Sequence, residues 1–322
     1  MNRIQKPEII VTRAVPDAVA KALTDHFSVS LNLNDIPFSE RELKQALESA
    51  DGLICTVSDQ ITADIISSTK RRASIISNFG VGVSNIDVNC CQKLGLVVTN
   101  TPNVLTHATA EIALFLILAV SRRTTYSETK LRNNCWKGFS IVEDLGVSLA
   151  GKTLGIVGMG RIGQATAEKV INSLGMKVVF FNRSPVKDLS FRAVQLDTLA
   201  EVLTCADVVS IHAPGGTKEP ILKREHFAMM KKTAFLINTA RGDVVDQRAL
   251  INALKTSLIS GAGLDVYLDE PKVPNELFLL DNVTLLPHIG SATCETREAM
   301  GMLAVNNLKA HFFDGNYPSR II

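Results

Sequence analysis

What constrains this chain most is an alternation: short β-branched runs and helical segments take turns along nearly its whole length. Two parallel strands cannot be joined by a tight hairpin, so each needs a crossover, usually a helix. Strand and helix repeated end to end therefore predict parallel sheets covered by helices on both faces. The runs fall into two series. The first holds EIIVTR (8–13), VSLNL (29–33), GLICTV (52–57), SIISNFG (74–80) and LVVTNT (96–101), with helical segments such as Asp17–His26 and Ser39–Ser49 between them. The second begins at TLGIVGMG (153–160) and continues through VVFFNRS (178–184), VVSIHAP (208–214), AFLINTARG (234–242), GAGLDVY (261–267) and VTLLPHIG (283–290).

At 322 residues the chain is long for one domain and short for three. We expect an α/β protein of two doubly wound parallel-sheet domains, one comprising 1–103 and 290–322 and the other 104–289, with an active site in the cleft where they meet. The helical run Glu295–Phe313, with Ala299, Met302, Leu303, Ala304 and Leu308 at helical spacing, would return the chain to the first domain. A long apolar helix, roughly Val104–Ser121, separates the two series. After it, Arg122–Ala150 lacks a strand pattern and reads as a linker or an association arm. The apolar stretch Ile112–Val120 is too short to span a bilayer and reads as part of a buried helix.

Thirty-four Lys and Arg are scattered among 32 Asp and Glu, which gives no electrostatic basis for binding nucleic acid. The N-terminus, MNRIQKPEIIVTR, runs from polar residues straight into a strand without a signal peptide's apolar core. The six cysteines, at 55, 90, 91, 135, 205 and 294, show neither C-x-x-C nor Cys/His metal spacing. These features predict a cytoplasmic protein with reduced thiols, no bound metal and no membrane partner.

The segment TLGIVGMGRIGQA reads as a buried strand turning into a helix at its glycines. Gly158 permits the tight turn, Gly160 lets the backbone approach a pyrophosphate, and Gly163 lets helix pack on strand. G-x-G-x-x-G alone also describes an ordinary glycine-rich turn. Here, however, the next strand ends at Asn182, 19 residues after the third glycine, where a dinucleotide-binding (Rossmann) domain reads the adenosine ribose. NAD-specific domains place Asp or Glu there; this chain has Asn182, Arg183 and Ser184. A carboxylate would repel a 2′-phosphate, whereas an amide, a guanidinium and a hydroxyl can donate to one. The alternative is that Arg183 is a solvated loop residue. We expect NADP(H) to be preferred over NAD(H).

Reducing a 2-oxo acid requires, besides hydride, a cation for the carboxylate, an acid for the ketone oxygen and a group that keeps the acid charged. Three such residues follow successive strands of the second series: Arg241 after LINTA, Glu270 after LDVYLD, and His288 after VTLLP. Singly, each has an ordinary reading as a surface charge, a loop start or a satisfied histidine. Together, at strand ends where doubly wound sheets bind ligands, they form a catalytic set.

On these residues the chain resembles the D-isomer-specific 2-hydroxyacid dehydrogenases, especially the glyoxylate/hydroxypyruvate reductases among them. The resemblance runs through INTARG (237–242), GAGLDV (261–266), Glu270-Pro271 and PHIG (287–290), with spacings of 29 and 18 residues between the Arg, Glu and His, and it extends over nearly the whole chain. It implies a flavodoxin-like substrate domain beside the Rossmann domain, and a homodimer. Arg241 would bind and polarise the substrate, His288 would act as general acid or base, and Glu270 would orient His288 and raise its pKa. Asp265 would contact the nicotinamide carboxamide. The loop SNFGVGVSNID (77–87) would receive the substrate carboxylate on the backbone N–H groups of Val81 and Gly82. Thr109, Arg161, Ile162, Pro214, Thr239 and Ala240 would add cofactor contacts. His107 departs from the pattern, since relatives often carry Asp there. Trp136 lines the pocket from a neighbouring subunit or simply packs in an interface.

Phosphoglycerate-oxidising relatives place Arg at the first-domain strand end that Cys55–Gln60 occupies here without a cation. A phosphorylated substrate is therefore disfavoured, and a small 2-oxo acid, glyoxylate or hydroxypyruvate, reduced to the D-2-hydroxy acid is expected. Larger acids, 2-keto-gluconate or aryl pyruvates, are the alternative. A non-catalytic NAD(P)-sensing interaction protein ranks below both, because the Arg, Glu and His set is complete and no low-complexity tail is appended.

Overall fold

The computed structural model describes residues 6–322. They divide into two compact units: the described residues up to Leu105 with Ser291–Ile322, and Thr106–Gly290.

The first unit is built on a parallel five-stranded sheet in the order β2-β1-β3-β4-β5, with β1 at Glu8–Val11, β2 at Ser28–Leu31, β3 at Gly52–Thr56, β4 at Ile75–Phe79 and β5 at Val97–Thr99. That is the flavodoxin-like strand order. All of β4 and nearly all of β3 are buried, which is why both read as continuous apolar runs rather than alternating ones. The helix Glu40–Ser49 starts with a capping box: Ser39 Oγ accepts from the Glu42 N–H, and the Glu42 carboxylate accepts from the Ser39 N–H at 2.7 Å. Its Leu43, Ala46 and Leu47 enter the core with Leu53, Ile65, Ile76 and Val98. The C-terminal helix Cys294–Lys309 belongs to this unit. Gly301 lies so close to Val19 that a Cβ there would sit 2.4 Å from it, and the Ala304 carbonyl accepts from Ser77 Oγ on β4.

The second unit carries a parallel seven-stranded sheet in the order β12-β11-β10-β9-β6-β7-β8. The strands are β6 Thr153–Val157, β7 Lys177–Phe181, β8 Val194–Gln195, β9 Val208–Ile211, β10 Phe235–Asn238, β11 Gly261–Leu264 and β12 Val283–Leu285. Each run of the second series forms a strand; β8 is additional. It pairs with β7 through only two residues, and nothing in FRAVQ marks it. The helix Thr106–Ser121 packs on β10 and β11 because Gly261 and Gly263 leave room. A Cβ on Gly263 would lie 2.9 Å from that of Leu116, and one on Gly261 would lie 3.0 Å from Val120. This helix is buried on one side only: Leu116, Ile117 and Val120 are in the core, while Phe115 and Leu118 are 48% and 38% exposed. Among the described residues, no helix is long and apolar enough to cross a membrane.

Candidate active site

The glycines after β6 divide by role. Gly158 has φ of +95°, and a Cβ on it would stand 2.8 Å from the Ala213 nitrogen; one on Gly163 would stand 2.4 Å from the Gly158 carbonyl oxygen. The fold itself requires both. A Cβ on Gly160 would meet nothing within 4 Å. Gly160 caps the 14-residue helix Arg161–Leu174, whose first-turn N–H groups have no helical acceptor. An open cradle at a helix N-terminus, with no side chain intruding, fits a dinucleotide pyrophosphate. After β10, Thr239 Oγ1 is buried without a protein partner among the described residues. Thr109 is buried against Gly290.

At the end of β7 the Asn182 amide is engaged by its own chain. Oδ1 accepts from the Met159 N–H of the glycine turn at 3.2 Å, and Nδ2 donates to Ser184 O at 2.9 Å. Gln195 of β8 donates to the carbonyls of Asn182 and Ser184, so the unforeseen strand braces this turn. Asn182 thus shapes the turn, its Nδ2 reaching Ser184 Oγ as well at 3.3 Å, and Arg183 and Ser184 stand exposed. Among the described residues, Arg183 makes no salt bridge.

Three turns beyond β10, β11 and β12 assemble the polar groups. Asn238, the last residue of β10, accepts from the Ala240 N–H and donates to the Arg241 carbonyl, fixing the backbone that carries Arg241. Burial pushes the Arg241 pKa down, opposed by Glu270 and Asp243. Glu270 Oε1 accepts from the Tyr267 N–H at 2.9 Å, and Oε2 lies 2.6 Å from His288 Nδ1. Burial raises the Glu270 carboxyl pKa, but the hydrogen bond and charge of His288, the Tyr267 N–H and Arg241 outweigh it, leaving it below the usual range. A carboxylate on Nδ1 sets the imidazole tautomer and leaves Nε2 for a reacting group.

His288 occupies the left-handed region, φ +55°, which a side chain rarely adopts. Two neighbours hold it there. The Tyr267 hydroxyl donates to the Leu286 carbonyl at 3.0 Å, and Asp265, 1% exposed, accepts from the N–H groups of Ile289 and Gly290 at 2.7 and 2.8 Å. Burial raises the Asp265 pKa, while those N–H groups and His288 oppose it. Asp265 therefore anchors the turn after His288. Neither this clamp nor Tyr267 was readable as such, because no periodicity ties residue 265 to residue 289.

In the first unit, Val81 and Gly82 follow β4 on a partly exposed loop, and no protein group among the described residues accepts from their N–H groups. The segment 55–60 contains no cation, yet one stands beside it. Arg13, just after β1, donates to Ser58 Oγ at 3.2 Å and pairs through two nitrogens with Asp35. Sequence order hid this neighbour, and Asp35 balances its charge. His107 and Trp136 are both exposed.

With Arg241, Glu270 and His288 gathered at the strand ends of a nucleotide-type sheet, the class can be stated. The chain belongs to the D-isomer-specific 2-hydroxyacid dehydrogenase family: residues 114–290 match the model of that family's NAD binding domain. It is an NAD(P)-dependent D-2-hydroxyacid dehydrogenase. It is 39% identical to a glyoxylate reductase of Thermococcus onnurineus, covering 98% of this chain and 96% of that protein, and 40% identical to a glyoxylate reductase of Pyrococcus furiosus, covering 98% and 95%. Among solved structures, an NADPH-dependent glyoxylate/hydroxypyruvate reductase from Sinorhizobium meliloti, in complex with NADP and malonate, superposes with a TM-score of 0.87 at 32% identity, covering 98% of this chain and 97% of that one.

Proposed function

We propose that the protein reduces glyoxylate to glycolate, or hydroxypyruvate to the D-2-hydroxy acid, and prefers NADPH to NADH. The observation that carries the reading is the His288–Glu270 pair at 2.6 Å, in a unit that also supplies Arg241. A reduced nicotinamide dinucleotide, its pyrophosphate held at the glycine turn, would supply hydride to the carbonyl carbon. His288 delivers a proton from Nε2 to the carbonyl oxygen, so that hydride on carbon and proton on oxygen together convert the carbonyl to the alcohol. Glu270, ionised through the neutral range, stabilises the imidazolium before transfer. Arg241 binds the substrate and draws electron density onto the carbonyl oxygen, and its partial burial strengthens both effects. The N–H groups of Val81 and Gly82 receive the carboxylate. Asp265, Thr109, Thr239, Ala240, Pro214, Arg161 and Ile162 border the cofactor, with Arg183 and Ser184 on the 2′-phosphate.

The NADPH preference is supported by the absence of any carboxylate in Asn182-Arg183-Ser184 and by the exposure of Arg183. The relatives' glyoxylate reductase activity supports the substrate class. We also read the arm around Trp136 as the contact of a homodimer. The deciding experiment is a kinetic screen of glyoxylate, hydroxypyruvate, 2-keto-gluconate and phenylpyruvate with each cofactor. The highest kcat/KM is expected for one of the first two with NADPH. Equal or better turnover with NADH removes the cofactor preference, and a larger acid as best substrate removes the substrate assignment.

A further inference from the structure

The loop after β4 turns three consecutive carbonyls the same way. Gly80 O accepts from the Thr101 N–H at 3.0 Å, Val81 O from Asn100 Nδ2 at 2.8 Å, and Gly82 O from Asn78 Nδ2 at 2.8 Å. Asn78 Nδ2 also reaches Gly80 O at 3.4 Å, so the first and third carbonyls converge on one amide. Among the described residues, the one cis peptide is Glu270-Pro271; these three peptides are trans. In a trans peptide the N–H points opposite to the C=O. Three carbonyls drawn inward therefore turn the N–H groups of Val81, Gly82 and Val83 outward together, and none of the three has a protein acceptor among the described residues. Successive free N–H groups on one side form an anion-binding concavity.

The two asparagines are themselves fixed. Asn78 is fully buried and Asn100 is 7% exposed. Asn78 Oδ1 accepts from Asn85 Nδ2 at 3.2 Å, and Asn85 also donates to the carbonyls of Thr56 and Asp59 at the end of β3. Exchanging the Asn78 amide oxygen and nitrogen would set oxygen against two carbonyl oxygens, so its partners determine its orientation. Aligning three like dipoles is unfavourable unless their carbonyl ends are neutralised; the two side-chain amides do that for Val81 and Gly82, and the Thr101 N–H for Gly80.

We infer that Asn78 and Asn100 are positioning residues for substrate: by binding the Gly82 and Val81 carbonyls they hold the N–H groups of Val83 and Gly82 toward a carboxylate, beside that of Val81, whose peptide the Thr101 N–H fixes. This rests on the reading that the loop receives the substrate carboxylate, and it adds the residues that aim the donors. Neither asparagine touches the reacting atoms. The packing role of Asn100 runs largely through its backbone, whose carbonyl accepts from Asn307 Nδ2 and Ser319 Oγ, so its side chain can be cut without releasing that contact.

The test uses oxalate, an unreactive analogue of glyoxylate, titrated calorimetrically into the NADPH-saturated wild type and the Asn100→Ala and Asn78→Ser variants, alongside a crystal structure of the wild type with oxalate. Loss of aim by one charge-assisted donor should raise the oxalate Kd about tenfold or more. The KM for glyoxylate should rise in parallel, kcat should stay within about threefold, and NADPH affinity should not change. Oxalate seated on the loop with an unchanged Kd in both variants overturns the positioning role alone. Equal losses of NADPH and oxalate affinity overturn it in favour of general unfolding. Oxalate seated elsewhere in the wild type overturns the carboxylate reading of the loop and this inference with it.

Discussion

At the scale of single residues, His288 joins a backbone angle that costs energy to a hydrogen bond that gives it a role. His288→Ala should lower kcat by about a hundredfold or more with little change in NADPH affinity, because proton transfer is lost while the cofactor contacts remain. Stopped-flow turnover and fluorescence titration measure the two quantities separately, and an active variant would refute the acid assignment. Arg241→Ala should instead raise the KM for the 2-oxo acid and lower kcat together; a loss confined to cofactor affinity would contradict its role. His212 makes a different prediction. Burial pushes its pKa down to about 4, and its Nε2 lies 2.9 Å from Ser210 Oγ. Below pH 6.5 the unfolded chain takes up a proton that the folded one refuses until about pH 4. Stability is therefore complete above pH 6.5 and falls as pH drops through that window, by at most about 3 kcal/mol. In His212→Gln, the melting temperature should decline less between pH 7 and pH 4 than in the wild type; parallel curves would exclude the group.

At the scale of elements, the glycine turn separates what the fold needs from what a ligand needs. Gly163→Ala pushes a Cβ to 2.4 Å from a carbonyl oxygen, so it should lower both the melting temperature and NADPH affinity. Gly160→Ala enters open space and should leave the melting temperature within about 2 °C, while a pyrophosphate bound in that cradle would meet the Cβ, so NADPH should weaken at least tenfold. If Gly160→Ala binds NADPH normally, the cradle lies elsewhere. The same contrast explains what could be read in advance. Period and turn chemistry are local, so the strand runs, the strand-turn-helix at 153–163 and the strand ends bearing Arg241, Glu270 and His288 were legible. β8 was not, because two residues against one neighbour need no apolar run. Nor was the grip of Asp265 on Ile289 and Gly290, or that of Asn78 and Asn100 on the loop carbonyls. The Asp265 and Asn100 pairs lie 19 to 25 residues apart and depend on which strand ends become neighbours, while the Asn78 contact is local but carries no periodic signal.

At the scale of the whole molecule, the second unit leaves a run of large apolar side chains uncovered, and exposed apolar surface of that kind marks an interaction site. The helix Thr124–Arg132 has no buried residue, and the segment beyond it exposes Trp136 at 61%, Phe139 at 90%, Ile141 at 80%, Val142 at 78% and Leu145 at 65%. Phe115 and Leu118 add to this on the helix Thr106–Ser121. The arm nevertheless has internal order: Lys130 Nζ pairs with Asp144 at 2.8 Å, tying the helix to the far end of the segment, and the Val147 N–H returns to the Ser121 carbonyl. An arm braced at both ends while displaying aromatic and branched side chains is suited to a partner of like character, and a second copy of this chain offers the same apolar strip. Interfaces of that kind bury roughly 800 Å² per partner around an aromatic anchor. Sedimentation equilibrium on the wild type should therefore give twice the chain mass at micromolar concentration. The double variant Phe139→Ser with Ile141→Ser should shift the protein toward the single-chain mass with its far-ultraviolet circular dichroism unchanged, because both side chains contribute almost nothing to the core. A wild type that sediments as a single chain, or a double variant that stays at the doubled mass, would show that the arm serves something other than self-association.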